Sequence, residues 1–435
     1  MSKMQSQSNS IHASEAALKR LKKRHARERR FKLMGLSAIA IAVMALVWLL
    51  YSVVGTGYKA FYQHSFTIDV EMTETILDPS GARDPDALRK ANYRRIVQQA
   101  LYERFPDVTD RKAKKELFDI ISTSGAPNYL RQMAYNDPSV VGQNLTITVP
   151  TSDDVDQLLK GNIDRDLPES RRKVSDQQIA WVDELVSTGE IKSGFNKSFF
   201  VNPDSRDAEL SGIATAFLGS IMTLFVTALM AIPIGIGAAI WLDEFAPRNR
   251  FVDFIEININ NLAAVPSIIF GVLGLAIFIN FFGLPRSIPI VGGLVLGLRA
   301  LPTVIIATRA SLMAVPQSIR DGALSVGASH VQAVFHHKLP HAGPGIMTGS
   351  IIAMAQALGE TAPLLMIGMV AFLTEVPSSP TDPATVLPVQ IYIWAGNAER
   401  AWVEKTSAAI MILLFVLVLI NGFAIWLRNR LEKRW

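Results

Sequence analysis

The sequence contains no cysteine, and charged residues are scarce for a chain of 435 residues. Without cysteine, the chain has no disulfide framework, no thiolate metal site and no cysteine nucleophile. Charged side chains make up 19% of the residues, whereas soluble proteins carry about 25%. No GxxxxGK[ST] segment occurs either, which excludes ATP hydrolysis through a Walker A loop. The composition therefore favours a membrane protein over a soluble enzyme.

Apolar residues make up 49% of the chain and gather in long runs. The six runs lie at residues 34–54, 211–241, 262–282, 288–309, 345–373 and 406–427. Each run meets or exceeds the roughly 20 residues that a helix needs to cross a bilayer. Residues 56–208, between the first two runs, are as polar as a soluble domain. We therefore predict an all-α polytopic membrane protein with six transmembrane helices and an extracytoplasmic α+β insert.

A strongly basic segment precedes the first apolar run. Nine Lys or Arg residues and one acid, Glu28, lie from Lys19 to Lys32. The adjoining run is about 21 residues long, whereas the apolar part of a secretory signal is usually about 7–15 residues. We expect an uncleaved anchor whose basic tail stays in the cytoplasm, because positive charge favours that side. Nucleic-acid binding by the tail is the alternative, but its position against a membrane span favours the anchor.

The later loops agree with a single orientation of the chain in the membrane. With the N-terminus inside, residues 242–251, residues 310–344 and the C-terminal tail face the cytoplasm. Their basic residues include Arg248, Arg250, Arg320, Lys338, Arg428, Arg430, Lys433 and Arg434. The predicted organisation is a cytoplasmic tail at 1–33, a first transmembrane helix at 34–54, the insert at 55–208, a five-helix core at 209–428 that includes a cytoplasmic loop at 314–341, and a cytoplasmic tail at 429–435. Both termini are therefore predicted to be cytoplasmic.

The insert combines strand and helix patterns. Apolar and polar residues alternate from Phe66 to Thr73, which indicates a strand, and Asn144–Val149 resembles a second one. Helices are predicted at 84–104, at 109–122 and from positions near Thr151 and Ser175. The insert carries no metal or nucleotide motif, since Asp84-Pro85-Asp86 lacks the ligand spacing of a calcium loop. Its role is not readable from the sequence.

Small residues and prolines recur within the apolar runs. Gly293 and Gly297 are four residues apart, as are Gly345 and Gly349, and this spacing lets helix backbones approach closely in lipid. Prolines lie inside the runs at Pro233, Pro266, Pro302 and Pro363. Proline removes a helical hydrogen bond, so we expect kinked or broken helices of the kind that line a translocation path. Simple bends in a packed bundle are the alternative.

The cytoplasmic loop has the pattern of two short helices. Residues 316–340 read PQSIRDGALSVGASHVQAVFHHKLP. A first helix is predicted from Pro316 to Val326, with Gly327 as its stop. Ser329 and Gln332 can form a capping box for a second helix, which Pro340 would end. Its apolar face comprises Val331, Val334 and Phe335. Such a face would suit a soluble partner, although an ordinary amphipathic connector would show the same pattern.

This loop resembles the "EAA" loop of bacterial ABC importer permeases, in which Glu-Ala-Ala is followed by Gly four residues on and by Leu-Pro about a dozen residues later. The matching positions here are Asp321, Gly322, Ala323, Gly327, Leu339 and Pro340, with Arg320 beside them. Asp321 and Gly322 depart from the literal motif, yet they keep the acid and the small size. In that family the loop docks into a groove of the ATPase subunit, so the resemblance implies an ATPase-coupling role for these residues.

Two further segments narrow the resemblance. Ala264-Val-Pro-Ser-Ile-Ile-Phe-Gly271 and Ala357-Leu-Gly-Glu-Thr-Ala-Pro-Leu-Leu365 are similar to the PstA-type permease subunit of phosphate ABC importers. The resemblance covers about residues 205–430, and the first span with the insert resembles the N-terminal extension of a longer PstA subclass. It implies a permease of the bacterial inner membrane that imports inorganic phosphate by alternating access. The chain itself would be no enzyme and would need no cofactor.

The same resemblance implies a set of partners. They are a dimer of ATPase subunits, a second homologous permease subunit, an extracytoplasmic phosphate-binding protein and membrane lipid, with no nucleic acid. Three other functions stay open: a permease for another oxyanion such as sulfate or molybdate, an ion-coupled secondary carrier working alone, and a membrane partner in phosphate signalling. The Ala357–Leu365 segment favours phosphate.

Two ionisable residues fall near the middle of apolar runs, Arg299 in the fourth and Glu360 in the fifth. A charge at the bilayer centre costs roughly 3 kcal/mol unless it is paired or hydrated. An arginine fork binds phosphate oxygens in pairs, and a carboxylate can accept a hydrogen bond from protonated phosphate. Gln356 stands where many phosphate permeases carry an arginine, and Thr361 follows Glu360 directly. We predict these four residues as the substrate pathway; a structural Arg299–Glu360 ion pair is the alternative.

Four histidines lie in the cytoplasmic loop, at His330, His336, His337 and His341. Two of them are four residues apart, a spacing that can hold a metal ion on a helix. However, Pro340 is expected to break the helix between those two, and no carboxylate lies nearby in the sequence. We therefore predict a solvated cytoplasmic face and no metal site.

Overall fold

The computed structural model describes residues 15–370 and 372–431. The first 14 residues of the predicted cytoplasmic tail, and Lys433 and Arg434 at the other end, lie outside the described residues. The chain divides into two units, one ending at Gly55 and the other beginning at Thr56.

The described residues of the first unit belong to one long helix. Helix α1 (Glu15–Gly57) has 43 residues and contains both the basic segment and the apolar run 34–54. Its apolar side chains are largely exposed, with Trp48 and Tyr51 each 74% accessible. The helix is long and apolar enough to cross a membrane. Lipid is the surrounding that suits so much exposed apolar surface.

The second unit begins with the insert, which is built of short helices around a small sheet. Its elements are β1 (Tyr62–Glu71), α2 (Glu74–Leu77), α3 (Pro85–Lys90), α4 (Tyr93–Arg104), α5 (Arg111–Phe118), α6 (Gly125–Asn136), β2 (Asn144–Pro150), α7 (Asp153–Leu159), α8 (Asp176–Ser187), β3 (Ile191–Phe195) and α9 (Lys197–Val201). The strands are antiparallel in the order β2-β1-β3, with Phe66 opposite both Val149 and Ile191. The two predicted strands are thus confirmed. Strand β3 was missed because only its first residue is buried, so no alternation marks it.

The helices of the insert follow the predicted caps with two differences. The stretch 84–104 splits into α3 and α4, because the Asn92 side chain accepts a hydrogen bond from Arg95 N and caps a new helix. Ser175 and Gln178 form a capping box at the start of α8, as the sequence indicated. Helix α6 was not predicted, since glycine and proline lie in its first turn.

The remaining chain forms the helical core. Its helices are α10 (Ala214–Ile240), α11 (Arg250–Ala263), α12 (Ser267–Gly274), α13 (Pro289–Met313), α14 (Gln317–Ser325), α15 (His330–Gln332), α16 (Leu339–Gly359), α17 (Ala362–Met366), α18 (Leu387–Ala395) and α19 (Arg400–Leu431). Wider π-helical turns follow α10 at Trp241–Phe245 and α12 at Leu275–Phe281, and another joins α15 to α16 at Ala333–Lys338. The protein is an all-α polytopic membrane protein with an additional domain.

The spans are less regular than six straight helices. Among the described residues, α1, α10, α13 and α19 are each long and apolar enough to cross a membrane, and α11 with α12 forms a further candidate bent by 105°. The predicted run 345–373 instead gives α16 and the short α17, separated at Glu360. Pro266 lies at the bend of the α11–α12 pair, and Pro363 lies in the first turn of α17. Pro233 and Pro302 lie inside uninterrupted helices.

Glycines allow the core helices to touch, as their spacing predicted. A side chain at Gly293 or Gly297 of α13 would collide with Val226 or Met230 of α10. A side chain at Gly349 of α16 would collide with Ala307 of α13, and Gly345 likewise faces Ser311. Helices α10, α13 and α16 therefore pack in a row at backbone distance.

A buried ionic contact fixes the insert to the last helix. Glu404 of α19 accepts hydrogen bonds from Lys160 Nζ at 2.6 Å and from Gln157 Nε2 at 2.9 Å. Lys160 Nζ also lies 2.7 Å from Asp156 Oδ2, and the Lys160 and Glu404 side chains are 2% and 4% exposed. Because charges buried away from water need partners, these residues hold the insert in one position on α19.

We expect Lys160→Met to loosen this attachment. The substitution leaves Glu404 and Asp156 buried without their shared cation, which should lower the free energy of unfolding by about 3–5 kcal/mol. The melting temperature of the purified chain in detergent measures the effect. Lys192→Met, which removes an exposed lysine of β3, is the matched control and should leave the melting temperature unchanged. Equal melting temperatures for both variants would contradict the role given to Lys160.

Candidate functional site

The two charged residues at mid-span meet in the structure. Arg299 lies on α13, and Glu360 is the residue directly after α16. Arg299 Nη2 is 2.6 Å from Glu360 Oε1, and the two side chains are 23% and 18% exposed. The contact supplies each charge with a partner, so neither carries the full cost of burial alone.

The break between α16 and α17 positions Glu360. Helix α16 stops at Gly359, and Glu360 has an extended backbone with φ −77° and ψ 121°. Its N–H group donates to Ala357 O at 3.2 Å. Pro363, in the first turn of α17, cannot continue the hydrogen-bond ladder of α16. The chain therefore leaves the helix at Glu360, and this carboxylate reaches α13.

The other two predicted pathway residues lie at the same break. Gln356 is exposed, one turn before Glu360, and Thr361 is half-buried just before α17. The contact in the structure joins Arg299 and Glu360, while Gln356 and Thr361 flank it in the chain. The four residues thus occupy α13, the last turn of α16 and the α16–α17 break.

The Arg299 guanidinium still has N–H donors that can bind an anion while it contacts Glu360. A guanidinium carries five N–H donors, and the contact with Glu360 engages one nitrogen of Arg299. The exposed part of Arg299 leaves donors available to an anion, and the fork geometry suits two oxygens of an oxyanion. The pair can therefore serve as a structural link or as the floor of an anion site.

The loop at 314–341, which the sequence predicts to be cytoplasmic, has the predicted local structure up to its second helix. Helix α14 ends at Ser325, and Gly327 has a φ of +92°, a conformation that favours glycine. Ser329 N donates to Gln332 Oε1 at 2.8 Å, and Gln332 N donates to Ser329 Oγ at 3.3 Å. The predicted capping box is therefore confirmed.

The prediction that Pro340 ends the second helix is wrong. Helix α15 continues through the π turn Ala333–Lys338 into α16, and Pro340 lies in the first turn of α16. A π turn is wider than an α turn, so a proline beside it need not interrupt the helix. His337 and His341 therefore lie on one continuous helical path, where His341 Nδ1 contacts His337 O at 2.7 Å.

The apolar face of the loop is divided between core and surface. Val334 is fully buried and packs with Leu312, Val315 and other core residues. Val331 and Phe335 are 53% and 45% exposed. Of the loop residues implied by the resemblance, Ala323 is buried, Arg320 and Leu339 are half-buried, and Asp321, Gly322, Gly327 and Pro340 are exposed. A surface of apolar and small residues thus remains open on the loop.

Sequence reasoning missed the acidic pair that receives this loop. Asp243 and Glu244 lie in the π turn after α10, and the Glu244 side chain is completely buried. Lys338 Nζ donates to Glu244 and, at 2.8 Å, to Asp243 Oδ2. The available signal was two adjacent acids at the end of an apolar run, opposite a basic loop.

The other arm of the loop contacts the same carboxylate. Arg320 Nη1 is 3.4 Å from Glu244 Oε2, and His330 Nε2 is 3.9 Å from it. Arg320 Nη2 also lies 2.9 Å from His330 Nε2. Burial alone would lower the pKa of Lys338, but the hydrogen bonds and charges of Asp243 and Glu244 outweigh it and raise that pKa. Lys338 therefore stays protonated at neutral pH.

The histidines of the loop contact protein groups: His330 lies beside Arg320, and His341 contacts the backbone oxygen of His337. In the part of the chain that the structure describes, no group of three or more His, Asp or Glu residues is placed to hold a metal ion. His336 and His337 are exposed.

Comparison with known proteins identifies two matching regions. Residues 231–435 match the family described as binding-protein-dependent transport system inner membrane component, and residues 18–169 match a domain of unknown function, DUF3333. The first region contains Arg299, Glu360 and the whole loop at 314–341. The second contains most of the insert.

Curated relatives cover the permease half of the chain. A probable ABC transporter permease protein, YqgI of Bacillus subtilis, is 30% identical over 54% of this chain and 84% of its own length. The phosphate transport system permease proteins PstA of Xylella fastidiosa and Haemophilus influenzae are 30% and 31% identical, over 57% and 48% of this chain and 86% and 74% of their own lengths. Among solved structures, the inward-facing methionine transporter MetNI is 17% identical, covers 50% of this chain and 95% of its own, and has a TM-score of 0.43.

The geometry of Gly327 gives a test of the loop structure. With φ at +92°, Gly327→Ala should cost about 1–2 kcal/mol of loop stability through backbone strain. No atom lies within 4 Å of the added methyl group, so crowding does not contribute. The measurement is hydrogen exchange of the backbone across residues 317–332, which should become faster.

Gly322→Ala is the matched control. Gly322 lies inside α14 with no neighbour within 4 Å and no positive φ. Alanine favours a helix interior over glycine by roughly 0.5–1 kcal/mol, so exchange should be equal or slower. The assigned turn would be refuted if hydrogen exchange became faster in the Gly322 variant and stayed at the wild-type rate in the Gly327 variant.

Proposed function

Because the chain belongs to the binding-protein-dependent transport system inner membrane components, a family of ABC importer permeases, we propose that its cargo is inorganic phosphate. The observation that carries this proposal is the Arg299–Glu360 contact at the break of α16. PstA relatives named for phosphate transport support it. As in this family generally, the ATPase is a separate subunit.

The chemistry of the pair favours phosphate over other oxyanions. Arg299 offers a guanidinium fork to two oxygens. Glu360 can accept a hydrogen bond from the remaining proton of hydrogen phosphate, whereas sulfate at neutral pH has no proton to give. Gln356 and Thr361 lie near Glu360 in the chain and carry neutral donors. Sulfate or molybdate has no proton to offer Glu360, so it would meet the charge of this carboxylate without a compensating hydrogen bond, which disfavours both anions.

The broken and bent helices support a translocation path that passes the Arg299–Glu360 pair. Helix α16 breaks at Glu360, and the α11–α12 pair bends by 105° at Pro266. Broken helices within a membrane occur where the freed backbone groups are buried in protein or line a cavity. The site would then be exposed to either side in turn, as alternating access requires.

The proposed motor is a dimer of ATPase subunits bound at the coupling loop, residues 314–341. Exposed apolar side chains support this role, notably Val326 at 85% and Val331 at 53%. A second homologous permease would complete the pathway, and an extracytoplasmic phosphate-binding protein would deliver the cargo. The insert would face the same side as that protein, with both termini in the cytoplasm.

The cargo proposal is tested by Arg299→Met, Glu360→Gln and the double variant. If the pair serves phosphate, the double variant should insert normally, yet its uptake of phosphate should fall at least about tenfold. A tenfold fall corresponds to a loss of about 1.4 kcal/mol of binding free energy for the anion. Uptake of labelled phosphate, normalised to the protein in the membrane, is the measurement. Arg299→Lys should also impair uptake, because lysine keeps the charge and loses the fork.

A second ion pair on the same helix is the matched control. Arg309 Nη2 of α13 lies 2.8 Å from Glu256 Oε1 of α11, with similar exposure. The double variant Arg309→Met with Glu256→Gln should retain uptake. If the Arg299 and Glu360 singles reduce membrane abundance and their double variant restores both abundance and uptake, the pair is structural only and does not contact phosphate.

The proposed orientation is tested by labelling, because the chain has no cysteine of its own. A cysteine replacing the exposed Ser170 of the insert should react with an impermeant thiol reagent in intact cells. A cysteine replacing the exposed Ser318 of the coupling loop should react only after the cells are opened. The reverse pattern would overturn the orientation and, with it, the assignment of the coupling loop.

A further inference from the structure

Both arms of the coupling loop converge on one buried carboxylate. Glu244, in the π turn after α10, has a completely buried side chain. From the first arm, Arg320 approaches to 3.4 Å, and from the second arm Lys338 donates a hydrogen bond to it. His330, between the arms, lies at 3.9 Å. Three cationic or ionisable side chains of one loop thus surround a single acid of another element.

We propose that Glu244 is a positioning residue that locks the coupling loop to α10, so that the loop and this transmembrane helix move as one body. This inference rests on the proposed role of the loop as the contact with the ATPase. This role requires no contact of Glu244 with the cargo or the nucleotide. It acts by holding the groups that do the docking in a fixed place on the helix that has to move.

Deeper burial distinguishes Glu244, the proposed anchor, from its neighbour Asp243. Asp243 is 12% exposed and contacts Lys338, whereas Glu244 is 0% exposed and contacts groups of both arms. A carboxylate without water depends on protein cations for its stabilisation, so each cation that leaves it exposes an unpaired buried charge. The raised pKa of Lys338 keeps one of those cations charged at neutral pH. The contact therefore resists separation of the loop from α10.

The apolar contacts under the loop cannot replace this anchor. Val334 packs with Ile240 of α10 and Leu312 of α13. Apolar packing is non-directional, so such a surface tolerates sliding of one element over another. Charge-assisted hydrogen bonds fix both position and direction. Glu244 supplies the directional part of the joint through its hydrogen bond from Lys338, and the Arg320 guanidinium adds a charge contact at 3.4 Å.

The packing of the core extends this joint to the candidate cargo site. The side chains of Val226 and Met230 on α10 pack directly against Gly293 and Gly297 of α13. Arg299 lies two residues beyond Gly297 on α13. A displacement of α10 imposed at Glu244 is thus passed by direct contact to the helix that carries Arg299. The route is loop, Glu244, α10, α13 and Arg299.

The test uses the whole complex, purified through a tag on this chain and reconstituted in proteoliposomes. Glu244→Gln keeps the side-chain shape and removes the charge. We expect the bound ATPase subunit to be retained, ATP hydrolysis to continue, and the amount of labelled phosphate moved per ATP to fall at least about tenfold. Asp243→Asn is the control and should change this ratio less than about threefold, because Lys338 keeps its contact with Glu244. A wild-type ratio in the Glu244 variant would overturn the proposal.

A distance measurement separates positioning from general stability. Spin labels are attached to cysteines replacing Ser318 on the loop and Ile234 on α10, both exposed. The distribution of label distances should be narrow and the same in nucleotide-free and nucleotide-trapped complexes. In the Glu244→Gln variant the distribution should broaden, or its mean should differ between the two states. An unchanged narrow distance, or loss of the ATPase subunit from a normally inserted Glu244→Gln chain, would refute the proposal. Glu244→Asp, which keeps the charge, should restore the narrow distance distribution. If Glu244→Gln fails to insert, Arg320→Gln takes its place: it removes the first arm's charge from Glu244 and should likewise broaden the distribution, and an unchanged distribution would refute the proposal.

The same measurement distinguishes this inference from the cargo proposal. If the wild-type complex moves no phosphate but hydrolyses ATP, the cargo assignment fails. The label distance and its dependence on Glu244 still decide whether the loop and α10 move together. Conversely, normal phosphate transport with a freely varying distance would refute the anchor and leave the cargo proposal in place.

Discussion

The pairing of buried carboxylates with cations holds distant parts of this chain together. Glu404 binds the insert to the last helix, Glu360 joins the broken α16 to α13, and Glu244 receives both arms of the coupling loop. In each case the two partners come from segments far apart in the sequence. An ion in surroundings of low dielectric is stable only with its partner, so each pair fixes the relative position of two elements more firmly than apolar packing does. Two of the three joints link elements of the helical core, and the third attaches the insert to it.

Close packing of the helices lets a displacement at one of these ion pairs pass to neighbouring helices. Because Gly293 and Gly349 carry no side chain, α13 lies at backbone distance from both α10 and α16. Dense packing of this kind transmits displacements, since there is little free volume to absorb them. The loop proposed to bind the ATPase is attached to α10 and continues directly into α16 through a π turn. The loop is therefore linked to two helices that flank α13, and α16 ends at Glu360, where the candidate cargo site lies.

The insert is attached to the core rather than suspended from it. Lys160 and Gln157 bind Glu404 of α19, and Trp394 of α18 donates to Asp204 just before the core begins. Such contacts leave the insert little freedom to move independently of α19. The match of residues 18–169 to a domain of unknown function covers this part. A domain fixed in this way does not act as a mobile tether.

Local patterns in the sequence determined much of the structure. The alternation around Phe66 defined a strand, the Ser329–Gln332 pair defined a helix start, and the charges at Arg299 and Glu360 stood out because their apolar neighbours made them costly. These are properties of adjacent residues, which the chain order contains directly. Only the tertiary structure decided that Glu244 receives the coupling loop, that α16 runs through Pro340 and that α11 and α12 bend by 105°. Those features depend on which groups meet after folding, and the free energy of such contacts is set by burial and distance, quantities that no local pattern contains.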